Sequence, residues 1–128
     1  MRYITPRKAA QGLGSARSGT QDHWFLTVTS CALVLLTPAF LLVTGQAIGL
    51  SQGDLLAYFG RPYPALITAL FITVGMMHFI KGTRIMIDDY FQNTARKVAI
   101  IVSVVFGWAV IAAALFALAR MTLVPLAI

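Results

Sequence analysis

Three long stretches of the chain lack charge: residues 24–53, 62–80 and 98–119. Each supplies the ~20 apolar residues that a membrane-crossing helix requires. The pattern therefore predicts an all-α, integral membrane protein with three transmembrane helices, at about residues 24–44, 63–90 and 95–120. Residues 1–23 read as a polar N-terminal segment and 24–128 as a three-helix membrane domain. Gly45, Gly49 and Gly53 predict an end to the first helix near Thr44, with residues 45–61 as a connection whose 54–59 stretch lies in the membrane interface. Tyr58, Phe59 and Tyr63 suit an aromatic belt there. Pro38 interrupts the hydrogen bonding of the first helix, and Thr37 or a neighbouring helix is expected to serve the freed carbonyl. Asn93 or Thr94 is the expected N-cap of the third helix.

Composition excludes the soluble alternative. Of 128 residues, 59% are hydrophobic and 11% charged, with a mean hydropathy of +0.81. That apolar surplus is too large for a chain of this length to bury within itself. Lipid or other membrane subunits must cover it. A net charge of +6 does not indicate nucleic acid, because the ten Lys and Arg residues lie at the ends of apolar runs and form no basic stripe. Arg2, Arg7, Lys8, Arg17, Lys81, Arg84, Arg96 and Lys97 fall on one side of the expected helices, and Arg61 and Arg120 on the other. The positive-inside rule then places the N-terminus in the cytoplasm and the C-terminus outside. Cys31 is the sole cysteine, so the chain builds no internal disulfide or zinc cluster. Too few apolar residues precede it for a lipoprotein signal. Gly12 and Gly14 lack the preceding strand that a nucleotide loop requires. Ser103 and Gly107 read as helix-packing positions.

The chemistry concentrates in the second helix, between His78 and Tyr90. Asp89 lies eleven residues after His78, about 1100° of helical rotation, so the two share a face to within about 20°. Gly82 and Gly75 fall about 40° and 60° from the histidine, leaving room for a flat, bulky group against the backbone. An ionisable residue inside a span is a candidate functional site. His78 is either a haem-iron ligand or a neutral histidine hydrogen-bonded between helices. For iron, a second axial ligand must come from another chain, since His23 precedes a different helix. Tyr90, about 18 Å along the helix from His78, reaches the membrane surface. With Asp89 it either serves a quinone carbonyl, by hydrogen bond and proton relay, or is an interfacial aromatic beside a terminal acid. Lys81 and Arg84 either snorkel to lipid head groups or meet haem propionates.

At these residues the sequence resembles the small, hydrophobic membrane-anchor subunits of bacterial succinate dehydrogenase, also called succinate:quinone oxidoreductase or complex II. The signature is a second-helix histidine, a glycine four later, and Asp-Tyr at eleven and twelve later: His78, Gly82, Asp89 and Tyr90. The segment from Gly12 to Thr20 followed by His23-Trp24 is similar to the pre-helix region of alphaproteobacterial members. Arg84 and Asp89, at six and eleven residues past the histidine, also occur in the companion haem-sharing subunits of these enzymes. The Ser-x-x-His-Arg-x-Thr-Gly segment typical of those companions is absent, however. Relatives often carry a basic residue shortly after the His-Trp pair. Thr27 and its neighbours supply none here, leaving Arg17 or His23 as the nearest basic groups.

The resemblance implies a bacterial inner-membrane protein that anchors the flavoprotein and iron–sulfur subunits of the tricarboxylic acid cycle enzyme. It further implies that His78 is an axial ligand of haem b, shared with a companion hydrophobic subunit that supplies the second ligand, and that Tyr90, with Asp89 beside it, hydrogen-bonds ubiquinone. The chain catalyses nothing alone. The rival expectations are the anchor of a quinol:fumarate reductase and a cofactor-free structural or assembly role.

Overall fold

The computed structural model of the chain describes Tyr3, residues 5–10 and residues 19–123. Among these there are five helices and no strand: α1 (Pro6–Ala10), α2 (Gly19–Ala47), α3 (Gln52–Phe59), α4 (Pro62–Tyr90) and α5 (Asn93–Leu123). Arg2, Arg17 and most of the segment between Gly12 and Thr20 lie outside the described residues, as does the Lys8 side chain.

The three long helices α2, α4 and α5 have 29, 29 and 31 residues and the length and apolarity to cross a membrane. At 1.5 Å per residue each is about 43–47 Å long, which exceeds the ~30 Å hydrocarbon core. Their polar ends therefore extend into the head-group layers. This explains the early start of α2 at Gly19, ahead of the apolar run that begins at Trp24. Asp22 in its first turn suits the positive end of the helix dipole, and His23 thus belongs to the helix instead of preceding it.

The other end of α2 also differs from expectation. Gly45 is accommodated within the helix, which continues to Ala47 and ends before Gly49, whose φ of +86° only glycine adopts freely. The helix likewise continues through Pro38. Thr37 Oγ1 donates to the carbonyl of Leu33 at 2.6 Å, so it supports the carbonyl adjacent to the one that Pro38 frees. The expected interfacial stretch is the helix α3. Its N-cap Ser51 accepts a hydrogen bond from the Asp54 amide and donates to the Asp54 carboxylate. Pro62 at the start of α4 costs no helical hydrogen bond. Asn93 adopts a φ of 53°, a left-handed conformation that asparagine tolerates, and turns the chain from α4 into α5. Neither Asn93 nor Thr94 makes a side-chain cap bond among the described residues; the Arg96 amide bonds to the Gln92 carbonyl instead.

Helix α4 packs against both α2 and α5, which have no extended contact with each other. The α2–α4 seam is antiparallel and runs from Asp22·Lys81 through Thr29·His78 and Leu33·Gly75 to the stacked rings of Phe40 and Phe71, 4.1 Å apart. Against α5, Gly107 meets Ile80, Phe79 meets the edge of Phe106, and Asp88 pairs with Arg96. Ser103, Gly107 and Ile111, spaced at four-residue intervals, are the buried positions of α5. The small members of this row let the helix backbones approach, as expected of packing within lipid.

The tightest packing lies at the end of the molecule where α3 sits. Val43, Ala47, Ala65 and Thr68 are buried there, and the Tyr58 hydroxyl bonds to the Val43 carbonyl and the Gln46 side chain. Gly60 brings the α3–α4 corner against the Met121 carbonyl of α5. Elsewhere the helices are thinly covered: Trp24, Leu35, Leu42, Val102 and Phe116 are more than half exposed. The fold matches the all-α, three-span expectation, and its outer faces require lipid or partner helices.

Candidate functional site

Helix α4 carries His78, Lys81, Gly82, Arg84, Asp89 and Tyr90 without a break, so His78 and Asp89 share a face as expected. His78 is half-buried at the α2 seam, with Nδ1 2.9 Å from Thr29 Oγ1. Thr29 Oγ1 itself lies 2.9 Å from the Phe25 carbonyl and 3.1 Å from the Leu26 carbonyl. No described residue hydrogen-bonds to His78 Nε2.

Lys81, one turn toward the end of α4, is not free. Its Nζ lies 2.6 Å from Asp22 Oδ1 on α2, and 6.0 Å from the centroid of the Phe25 ring. Arg84, exposed one turn further along, makes no ion pair among the described residues. The two cations look equivalent in the sequence. The structure separates them, with Lys81 neutralised by a neighbouring helix and Arg84 available.

The two glycines near His78 also differ. A Cβ at Gly75 would touch Leu33 of α2 at 3.8 Å, so that side of the histidine is already packed. Nothing lies within 4 Å of the corresponding position at Gly82. Of the two glycines, Gly82 is the one left open. No group of three or more His, Cys, Asp or Glu suited to a metal ion is present among the described residues. A single imidazole with one nitrogen anchored and the other free instead suits an iron whose remaining ligands come from a macrocycle and another chain. Open backbone at Gly82 agrees with a flat group beside the histidine, while Arg84, two residues on, lies about 160° round the helix from Gly82.

At the end of α4, Asp88 is engaged by Arg96 at 2.6 Å, whereas Asp89 and Tyr90 are exposed, Tyr90 at 80%. The helix ends immediately after Tyr90, with the Phe91 amide bonded to the Ile87 carbonyl. An acid and a phenol are therefore presented side by side, free of intramolecular partners among the described residues. His23, near the start of α2, is exposed.

Nothing in the local sequence pattern singles out Asp22 and Thr29. They are seven residues apart on α2 and so share a face to within about 20°. Their opposite numbers, Lys81 and His78, are three apart on α4. The two spacings differ, so it is the register of α2 against α4 that brings each pair together.

Residues 1–119 match the family described as succinate dehydrogenase/fumarate reductase transmembrane subunit. The chain is 74% identical over 123 residues to the succinate dehydrogenase hydrophobic membrane anchor subunit of Paracoccus denitrificans, covering 96% of this chain and 95% of that protein. No solved structure gives a significant match. With three membrane-crossing helices and agreement along nearly its whole length, this multi-pass membrane protein belongs to the family of succinate dehydrogenase and fumarate reductase transmembrane subunits.

Proposed function

We propose that this chain is the membrane anchor of a bacterial succinate dehydrogenase, holding the flavoprotein and iron–sulfur subunits at the inner membrane, sharing haem b with a companion hydrophobic subunit and helping to form the ubiquinone-reduction site. The observation that carries the proposal is His78, half-buried within a membrane-spanning helix, with Nδ1 held by Thr29 and Nε2 unpartnered among the described residues. The eight-to-two distribution of basic residues supports an N-terminus in the cytoplasm, the compartment where the tricarboxylic acid cycle supplies succinate.

In this reading His78 Nε2 would hold the iron, Gly82 would leave backbone space beside it, and Arg84, without an ion pair among the described residues, would be the cation available to haem carboxylates. When bound, the haem supplies a one-electron site near the quinone. Lys81 contributes through Asp22, by fixing α2 against α4. Tyr90 donates a hydrogen bond to a quinone carbonyl at the membrane surface, and Asp89 moves a proton between that oxygen and water. Reduction to the quinol takes two electrons, from succinate through the partner subunits, and two protons from the aqueous side.

Two rivals have support. The matched family includes fumarate reductase subunits, for which the same site would run toward quinol oxidation. The Thr29–His78 hydrogen bond also fits a cofactor-free anchor in which the histidine joins two helices. Purification of the chain in mild detergent tests all three. We expect copurification with a flavoprotein, an iron–sulfur protein and a second hydrophobic protein, with a low-spin b-type absorption band and bound ubiquinone. Bound quinone of low potential favours the fumarate reductase; an intact complex with no haem band selects the structural role.

A further inference from the structure

Resting on the assignment of His78 to haem, we infer that Thr29 is a positioning residue that fixes the tautomer and ring orientation of His78 and thereby sets the electronic character of the iron ligand. A threonine hydroxyl has a single hydrogen, yet Thr29 Oγ1 lies within hydrogen-bond distance of three atoms: the Phe25 carbonyl oxygen at 2.9 Å, the Leu26 carbonyl oxygen at 3.1 Å and His78 Nδ1 at 2.9 Å. Carbonyl oxygens only accept. If the hydroxyl proton went to Nδ1, the oxygen lone pairs of Thr29 would be directed toward two carbonyl oxygens. If it goes to the carbonyls, as is usual for threonine in a helix, the lone pairs are directed at the imidazole. The second arrangement satisfies all three contacts when Nδ1 carries the imidazole hydrogen and donates it to Thr29.

Two consequences follow for the ligand. Nε2 is then the unprotonated nitrogen, ready to bind a metal without losing a proton. The Nδ1 hydrogen bond also prevents free rotation of the ring about its Cβ–Cγ bond. Hydrogen bonding at the remote nitrogen of a ligating histidine raises the basicity of the ligating one, and it is one of the levers by which a protein sets the potential of a bound iron. A more basic ligand favours the ferric state. Thr29 therefore holds the haem potential lower than an unassisted histidine would.

The test compares Thr29→Val and Thr29→Ala, which remove the hydroxyl with and without loss of bulk, with Thr29→Ser, which retains it. Each is read in the purified complex by redox titration of the haem and by the low-spin electron paramagnetic resonance signal. The expected result is a positive shift of midpoint potential and an altered low-spin signal in the valine and alanine variants, with serine matching the wild type. Two variants without the hydroxyl guard against one failing to assemble. An unchanged potential and signal in them overturns the inference, as does an equal shift in all three, which would assign the effect to packing. His78→Ala is the separate control: a complex that keeps its low-spin haem without His78 defeats the underlying assignment, whatever Thr29 does.

Discussion

Lys81 of α4 and Asp22 of α2 form an interhelical ion pair with Nζ and Oδ1 2.6 Å apart, while Arg84, one turn away, is unpaired among the described residues. The pair divides the labour between two cations that composition alone treats as alike. Both members are more than a third exposed, at 37% and 41%, so solvent screening limits the pair to roughly 0–1 kcal/mol of stability.

Exchanging each cation for a neutral side chain should expose that division. Arg84→Gln should weaken haem retention in the purified complex, whereas Lys81→Gln should lower thermal stability only slightly and leave the haem in place. Asp22→Asn should resemble Lys81→Gln. Haem content per complex and melting temperature, measured together, check this; a larger haem loss in Lys81→Gln than in Arg84→Gln would reverse the assignment.

Tyr90→Phe removes one hydroxyl from a side chain that is 80% exposed at the end of α4, and so leaves internal packing intact. Loss of a hydrogen bond to quinone should cost on the order of 1–3 kcal/mol, or about tenfold or more in quinone reduction. Succinate oxidation by an artificial acceptor that draws electrons upstream should survive. Asp89→Asn should give a similar defect that depends on pH, because the amide cannot relay a proton. Parallel loss of both activities would point to disrupted assembly.

Glycine substitutions should divide by what their Cβ would meet. Gly60→Ala places a carbon 2.8 Å from the Met121 carbonyl oxygen, a backbone atom, and should destabilise the chain by about 1–3 kcal/mol. Gly107→Leu should do the same by forcing Ile80 out of the α4–α5 seam. Gly45→Ala, with nothing within 4 Å, should be neutral or slightly stabilising. Thermal unfolding of the detergent-solubilised complex measures all three.

Orientation has a direct test. A reporter inserted near Asn93 should appear in the cytoplasm and one fused after Ile128 outside it. The opposite labelling would defeat the topology drawn from the basic residues.

The spans are legible in the sequence because lipid demands a continuous apolar run, and such a run is visible without any tertiary information. Their ends are less legible. Gly45 looks like a terminator, but a glycine in a membrane helix is held by the helix's own hydrogen bonds, and Gly49 is the residue whose left-handed backbone follows the end of α2. In the site, helical arithmetic places His78, Gly82, Asp89 and Tyr90 correctly on one continuous helix. It cannot tell Gly75, packed against Leu33, from Gly82, which is open, because that difference belongs to the neighbouring helix. Thr29 and Asp22 are invisible for the same reason: their meaning comes from register across the α2–α4 seam.

That seam also bears on how the helices accommodate their polar groups. Charged and polar side chains are costly in the hydrocarbon layer and tend to pair with one another or face a bundle interior. Helix α4 brings both Lys81 and His78 toward the membrane, while α2, synthesised earlier, holds their complements Asp22 and Thr29. The contacts of α4 with α5 along Gly107 and Phe106 are apolar, and the ion pair of Asp88 with Arg96 lies at the ends of those two helices. Two of the polar side chains of α4 thus find their complements on the helix that precedes it in the chain.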